Sequence, residues 1–175
     1  SFKINQTQLL DLLNKTSFSM AVNPDVRFIL CGLLLEVSPN QLTAVATDAH
    51  RLAISTTAIE KKQINDISCI VPRKAVLELI RVLQGNNEAK VSIGDNQISV
   101  KLNGLSFLSK LMDGKFPAGY KGVIPETASI DVLLEKKIIR ASLQRVSILA
   151  NEKFKGVRVE ATNKSIGLSS ENPEQ

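Results

Sequence analysis

The sequence predicts an α+β fold in which a unit of one strand, one helix and several antiparallel strands occurs more than once. Segments with apolar residues at helical spacing alternate with short apolar runs, which are joined by hairpin-type turns such as GDNQ and NG. The order of these segments repeats after roughly 60 to 70 residues, which is too long for the common solenoid repeats. The pattern therefore favours a duplicated α+β unit.

The first unit begins with a short strand, SFKI, and a helix predicted over residues 6–20. Leu9 and Leu13 recur at helical spacing on one side of this helix, with Asp11 and Lys15 on the other. The apolar segments that follow predict three strands, with the turn SPNQ between the first two: VRFILCGLLLEV, QLTAVATD and RLAISTTAI.

The second unit repeats this order. After the strand CIVP, Pro72 precedes a helix predicted over residues 73–83, in the position that proline favours at helix starts. Lys74, Glu78 and Arg81 share one face of this helix, and the other face is apolar: Val76, Leu79, Ile80 and Leu83. Three further strands are predicted: AKVSI, QISVKL and LSFLSKL.

A third unit starts after VIP and is incomplete. SIDV resembles SFKI and is predicted to be a strand, Ile138 and Ile139 match Leu9 and Leu10, and Gly156 matches Gly32. We therefore predict one domain over residues 1–125 and the first half of a second over residues 126–175. Half a domain leaves a sheet edge and an apolar helix face uncovered, so we expect the chain to be a fragment.

Composition excludes several classes of protein. The chain has 175 residues, of which 43% are hydrophobic and 22% charged, as in ordinary globular proteins. No apolar run reaches the ~20 residues of a membrane span and residues 1–20 lack signal-peptide features, so we expect a cytoplasmic protein without a membrane partner. Cys31 and Cys69, with one histidine, are too few for a zinc site or a disulfide framework. We predict no metal and no cofactor.

The one histidine, His50, lies in the segment TDAHRLAIS. Catalysis would need a nucleophile and an orienting acid in contact with it, and Asp48 and Ser55 are the nearby candidates. Adjacent residues on a strand do not converge, and no nucleophile elbow or phosphate-binding loop is present. We predict no catalytic residue and no enzymatic activity. A hydrogen bond made by His50 at a strand end is the simpler structural alternative.

Several motifs resemble one family over essentially the whole chain: TSFSMAVNPDVRFILCGLLLEV, VATDAHRLA, VPRKAVLEL, SKLMDGKFPAGY, ANEKFKGVRV and ENPEQ. In this order they are similar to the bacterial sliding clamp, the beta subunit of DNA polymerase III, in its middle domain and the first half of its C-terminal domain. The resemblance implies a DNA clamp fold with antiparallel sheets outside and helices lining the inner surface. It also implies a homodimeric ring around duplex DNA that acts as the processivity factor of DNA replication.

The resemblance implies two sets of site residues. Short peptides of the replicative polymerase, the clamp loader and repair proteins are expected to bind a hydrophobic pocket with these residues: Leu30, Thr47, Ala49, His50, Arg51, Leu52, Pro117 and Val123. Duplex DNA is expected to contact a second set without regard to base sequence: Arg27, Phe28, Arg73, Lys74, Arg81, Arg140 and Arg145. The net charge of +5 agrees with a polyanionic partner, although many ordinary domains are equally basic.

Two departures from the family pattern concern these sets. Phe28 is followed by Ile29 where relatives have aromatic residues, which weakens an expectation of base stacking. The linker FPAGYKGVIP is one residue longer than usual, so Val123 is a less secure pocket residue than Leu30 or Leu52. The alternative function is a nonenzymatic peptide-binding or interaction module of the same fold that does not encircle DNA, and the two functions differ in what the inner helices do.

Overall fold

A computed structural model of the protein describes residues 1–23, 27–59, 66–125, 127, 130–148, 150, 156–162 and 164–170. Parts of three predicted motifs, NPDVRF, ANEKF and ENPEQ, lie outside these residues. The chain forms two compact units, Ser1–Lys121 and Gly122–Gln175. Within the described ranges, no helix has both the length and the apolar character needed to cross a membrane.

The described residues of the first unit form two α-helices and two four-stranded antiparallel sheets. Its elements, in chain order, are β1 Phe2–Asn5, α1 Gln6–Asn14, β2 Gly32–Ser38, β3 Gln41–Thr47, β4 Leu52–Ala58, β5 Ile67–Pro72, α2 Arg73–Val82, β6 Glu88–Ile93, β7 Gln97–Leu102 and β8 Leu105–Lys110. One sheet has the strand order β1-β6-β7-β8 and the other β4-β3-β2-β5. The predicted α+β class is confirmed.

The main core lies where both helices meet the inner faces of both sheets. Leu12 of α1 and Val76 of α2 are fully buried there, together with Leu33 of β2 and Val91 of β6. A second, smaller cluster lies on the opposite face of the β4-β3-β2-β5 sheet. Because this sheet is covered on both faces, β2 reads as a continuous apolar run rather than an alternating one.

The first helix is shorter than the predicted range of residues 6–20. Asn5 caps α1 by accepting a hydrogen bond from the Thr7 backbone N–H at 2.8 Å. The helix ends at Asn14, and the buried Thr16 hydroxyl donates to the Leu12 carbonyl oxygen at 2.9 Å. A short 3₁₀ helix, Ser17–Ser19, follows. The local hydrogen bond of Thr16 to the helix backbone explains why helical periodicity overestimated the length of α1.

The strand predicted from VRFILCGLLLEV begins only at Gly32. Phe28–Cys31 forms a 3₁₀ helix instead, with Leu30 N–H donating to the Arg27 carbonyl at 2.9 Å. Pairing with β5 starts at Gly32, opposite Pro72. A Cβ atom at Gly32 would lie 2.4 Å from Ile70 Cγ2 and 2.6 Å from Met112 Sδ, so the strand starts where only glycine fits.

The second unit contains the helix α3, Lys136–Ser147, and a two-stranded antiparallel sheet of β9, Arg158–Ala161, and β10, Ile166–Ser169. The strand predicted at SIDV is absent from its described part, residues 130–132, where no strand partner is present among the described residues. Ala150 is the one buried residue among those described in this unit. The match of Ile138 and Ile139 to Leu9 and Leu10 placed a helix in this unit, and α3 contains both residues.

Candidate peptide pocket and basic surfaces

The segment TDAHRL forms a tight turn between β3 and β4. The Thr47 hydroxyl donates to the Arg51 carbonyl oxygen at 2.7 Å and accepts from the Ala49 N–H at 3.1 Å. Asp48 Oδ1 accepts from the N–H groups of His50 and Arg51, each at 3.0 Å. The turn places Ala49 at a φ of +74°, the left-handed region that disfavours side chains. These bonds fix which way His50 and Arg51 leave the turn.

The Asp48 side chain stabilises this turn by accepting hydrogen bonds from His50 and Arg51. Its Oδ2 lies 3.0 Å from Arg51 Nε, and its side chain is largely shielded from solvent. Burial tends to raise the pKa of the Asp48 carboxyl, but hydrogen bonds from the backbone N–H groups of His50 and Arg51, together with the Arg51 charge, outweigh it and lower the pKa. Asp48 is therefore held as a carboxylate that organises the backbone.

An apolar cluster lies beside the turn, on the outer face of the β4-β3-β2-β5 sheet. Buried Leu30 and half-buried Leu52 belong to it, as do Val45 and two aromatic residues, Phe116 and Tyr120. Thr47 and Leu52 are direct partners in the β3–β4 ladder. The cluster thus connects the polar turn to an apolar surface, which is the combination that a peptide pocket needs.

Residues 111–121 cover part of this cluster and are anchored to the sheet by specific contacts. The Met112 N–H donates to the Ile70 carbonyl oxygen at 2.9 Å. Tyr120 donates its hydroxyl to Glu36 Oε2 at 2.5 Å, and its ring meets Phe116 edge-on with centroids 6.1 Å apart. Burial, followed by the hydrogen bond to Glu36, raises the pKa of Tyr120 to about 12. The segment therefore has a defined position on the first unit.

A cleft of about 610 Å³ lies along the same segment. Leu34 and Ile70 of the sheet line it, and Phe116, Pro117 and Tyr120 of the covering segment complete its apolar part. Pro117 is the one residue that this cleft shares with the predicted pocket set. Residues 111–121 therefore border the cleft beside β2 and β5. Phe116 and Tyr120 of this segment also belong to the apolar cluster that includes Leu30 and Leu52.

The predicted pocket residues lie mainly in one part of the first unit. Thr47, Ala49, His50 and Arg51 form the turn, Leu30 and Leu52 join the neighbouring cluster, and half-buried Pro117 lies between Phe116 and Tyr120. Val123 belongs to the second unit, where its side chain is 69% exposed. The structure therefore brings Leu30, Leu52 and the turn together.

Sequence reasoning did not select Phe116, Tyr120 or Phe18 as site residues. The first two flank Pro117 in FPAGY, where two aromatic residues around a proline could have indicated an anchored segment. Phe18 is remote in sequence, but its ring lies 5.9 Å from Arg51 Cζ. No sequence pattern predicts this long-range contact.

The predicted basic residues of α2 have unequal surroundings. Lys74 is exposed, whereas exposed Arg81 is paired with Glu78 at 3.3 Å. Arg73 is half-buried and donates from Nη1 to the Met20 carbonyl oxygen at 3.3 Å. On α1, Lys15 is likewise paired with Asp11 at 2.6 Å. Part of the positive charge on these two helices is therefore neutralised locally.

The basic residues of α3 differ in this respect. Lys136, Lys137 and Arg140 are exposed and make no ion pair with a residue that the structure describes. Arg145 is also exposed and donates to Ser142 Oγ at 3.0 Å. Elsewhere, Arg27 and Phe28 are exposed at the start of the 3₁₀ helix in the first unit. The α3 surface thus carries several cations that are available to an anionic partner, in addition to exposed Lys74 on α2.

A catalytic interpretation of the site finds no support in its chemistry. Asp48 is used by the turn, His50 is exposed, and burial raises the pKa of the Cys69 thiol to about 12, which keeps it protonated. Within the part of the chain that the structure describes, no three His, Cys, Asp or Glu side chains form a metal-binding group.

Comparison with known proteins identifies the family. The family model of the DNA polymerase III beta subunit central domain matches residues 3–118, and the family model of its C-terminal domain matches residues 121–175. The chain belongs to the sliding clamp family, the beta subunits of DNA polymerase III. This confirms the resemblance carried by the sequence motifs.

Individual clamps are similar over nearly the whole chain. The beta sliding clamp of Proteus mirabilis is 40% identical over 176 residues, which are 99% of this chain and 47% of that protein. A crystal structure of the clamp from Pseudomonas aeruginosa has a TM-score of 0.93 and 39% identity, covering 99% of this chain and 48% of the clamp. Another structure from that organism, bound to griselimycin, has a TM-score of 0.91 and 39% identity, covering 99% and 47%. The chain thus spans about half the length of the curated relatives it matches.

Proposed function

We propose that this chain is part of a ring-shaped sliding clamp that encircles duplex DNA and tethers the replicative polymerase as a processivity factor. The role is non-enzymatic, and it places the protein in the cytoplasm with the chromosome. The domain limits of residues 1–125 and 126–175, the homodimeric ring and the recruitment of clamp loader and repair proteins are parts of the same proposal. Membership of the clamp family is the observation that carries it.

The basic residues support the DNA-binding part of the proposal. A clamp has to hold the phosphate backbone without reading bases, so diffuse Lys and Arg charge suits it better than bidentate base contacts. Exposed Lys74 and Arg81 on α2, and Arg140 and Arg145 on α3, provide such charge. Exposed Arg27 is a further cation for backbone contact, exposed Phe28 lies beside it as an apolar contact residue, and Arg73 contributes charge at the start of α2.

Salt dependence tests this assignment. Changing Lys74, Arg81, Arg140 and Arg145 together to Ala in the clamp that contains this chain should weaken DNA binding. The slope of log affinity against log salt should fall by up to about 0.9 for each phosphate that is no longer neutralised. The matched control removes four cations from the outer face of the other sheet: Lys3, Lys90, Lys101 and Lys110. An equal decrease of slope in both variants would show only an effect of net charge and contradict the assignment.

The turn and its apolar cluster support the peptide-binding part. Half-buried Leu52, packed against the cluster that contains buried Leu30, offers an apolar surface for Leu or Phe anchors, and His50 and Arg51 are held at its rim by the hydrogen-bonded turn. A related clamp from Pseudomonas aeruginosa has been crystallised bound to griselimycin. We therefore propose that this surface takes short partner peptides and that griselimycin is a suitable probe.

Calorimetric titration with two probes tests the pocket: griselimycin, and a synthetic peptide carrying Gln followed by Leu and Phe anchors. Leu52→Asp should weaken both by about 30-fold or more, because an unpaired carboxylate would face apolar anchors. Leu108→Asp, at an exposed position of β8, is the control and should bind normally. His50→Ala should weaken the free energy of probe binding by only about 0.5 to 1.5 kcal/mol. Undiminished affinity in a folded Leu52→Asp variant would place the site elsewhere.

A peptide-binding module that does not encircle DNA is the alternative, and the ion pairs Arg81–Glu78 and Lys15–Asp11 favour it because they reduce the free charge of α1 and α2. Retention on circular DNA separates the two. A sliding clamp should stay on nicked circular DNA and leave after linearisation, whereas a peptide module would show no dependence on DNA topology.

A further inference from the structure

Phe18 is an aromatic residue whose exposure the fold does not explain. It lies in the 3₁₀ helix Ser17–Ser19, and Thr16 before it and Ser19 and Met20 after it are each 0% exposed. The side chain of Phe18 is nevertheless 58% exposed. Its neighbours anchor the backbone, so the ring itself adds little to the core.

The ring has one specific contact, with Arg51. The Arg51 Cζ atom lies 5.9 Å from the centre of the Phe18 ring, within the range of a cation–π interaction. The Nε atom of the same guanidinium group lies 3.0 Å from Asp48 Oδ2. Arg51 is therefore held both by a carboxylate on its own turn and by an aromatic ring 33 positions earlier in the chain.

This arrangement leaves the terminal N–H groups of Arg51 available to a ligand. Neither terminal nitrogen of Arg51 has a hydrogen bond to a residue that the structure describes, although the side chain is fixed at Nε. An arginine that becomes ordered only on binding loses rotamer freedom at that moment, and holding it in place beforehand avoids this loss. A held arginine directs its N–H donors toward acceptors on a ligand.

We propose that Phe18 is a positioning residue of the peptide pocket, which holds Arg51 so that its terminal N–H groups meet carbonyl or carboxylate oxygens of the bound peptide. The inference rests on the proposed peptide-binding function and deepens it. Phe18 itself does not need to touch the peptide. Its ring fixes the direction in which the terminal N–H groups of Arg51 donate, and the Asp48 carboxylate holds the Nε atom.

Affinity for the Gln-Leu-Phe probe peptide, measured by calorimetry on the chain, tests this role. Phe18→Leu removes the π face but keeps an apolar side chain, and it should weaken binding about two- to fivefold, the range of an exposed cation–π contact. Phe18→Tyr keeps the ring and should restore normal affinity. Leu108→Ala, a similarly exposed apolar position on β8, is the control for a general decrease of surface apolarity.

A double-mutant cycle separates positioning from simple packing. In an Arg51→Gln background the cation is absent, so Phe18→Leu should cause no further decrease of affinity. An equal decrease in both backgrounds, or failure of Phe18→Tyr to restore binding, would overturn the positioning role. Absence of probe binding by the unaltered chain would instead count against the proposed function, so the two failures are distinguishable.

Discussion

The two units repeat one pattern of sequence but differ in how far that pattern is buried. In the first unit, α1 and α2 each bury several apolar residues against two four-stranded sheets. In the second, α3 buries none of its residues, and β9 and β10 form a two-stranded sheet. Local apolar spacing therefore indicates where a helix lies, whereas its burial requires a larger sheet to pack against.

The equivalent glycines of the two units provide the strongest test of this difference. Gly32 lies at a point where an added Cβ would collide with Ile70 and Met112, while Gly156 has nothing within 4 Å among the described residues. Gly32→Ala should lower the free energy of unfolding of the first unit by about 1 to 3 kcal/mol, the usual effect of overpacking. Gly156→Ala should change stability by less than about 0.5 kcal/mol.

Urea unfolding followed by tyrosine fluorescence measures the effect at Gly32, because Tyr120 is the one tyrosine of the chain and lies in the first unit. Amide hydrogen exchange of peptides covering β9 measures the effect at Gly156. Equal effects of the two substitutions would mean that the repeat positions have the same packing, contrary to the structure.

The titration of Tyr120 tests how firmly the covering segment is anchored to the first unit. Because burial and the Glu36 hydrogen bond favour the protonated phenol, its pKa is raised from 10.0 to about 12. The unfolded chain releases this proton first, so stability should decrease as pH rises from about 10 to about 12. Tyrosinate absorbance should show the raised midpoint, and Glu36→Gln should lower it.

A midpoint near the ordinary value in the folded protein would show that residues 111–121 detach from the sheet. Unfolded protein in denaturant is the internal control and should titrate near the ordinary value. Since the second unit contains no tyrosine, the absorbance reports the first unit alone.

The comparison also shows what the sequence can predict. The helix α2 followed from apolar spacing, and the hairpins of β6, β7 and β8 followed from their turn residues, because both signals are local. The helix α3 followed from the match of Ile138 and Ile139 to the first repeat. The end of α1 at Asn14 and the 3₁₀ helix at Leu30 did not follow. The end of α1 depends on a side-chain hydrogen bond, and the late start of β2 depends on a close approach at Gly32. Apolar periodicity carries no information about either contact.

The candidate pocket shows the same division. Motif resemblance selected Leu30, His50 and Leu52, and the fold places them in and beside one apolar cluster. The contact of Phe18 with Arg51 and the hydrogen bond of Tyr120 to Glu36 join residues that are far apart in sequence. Contacts of this kind are decided by tertiary packing, so a single sequence does not contain a local signal for them.

Glycine substitutions at two alanines give the smallest but most direct contrast between the units. Ala49 has a φ of +74°, so it carries the steric penalty of the left-handed region, whereas Ala141 lies within the helix α3. Ala49→Gly should therefore stabilise the first unit by roughly 0.5 to 1 kcal/mol, the net of relieved strain and added chain entropy. Ala141→Gly should destabilise α3 by about 1 kcal/mol.

Urea unfolding followed by Tyr120 fluorescence measures the effect of Ala49→Gly, and hydrogen exchange of α3 measures the effect of Ala141→Gly. Destabilisation by Ala49→Gly would show that the β3–β4 turn is not strained at Ala49, and that the bonds made by Thr47 and Asp48 hold an unstrained conformation.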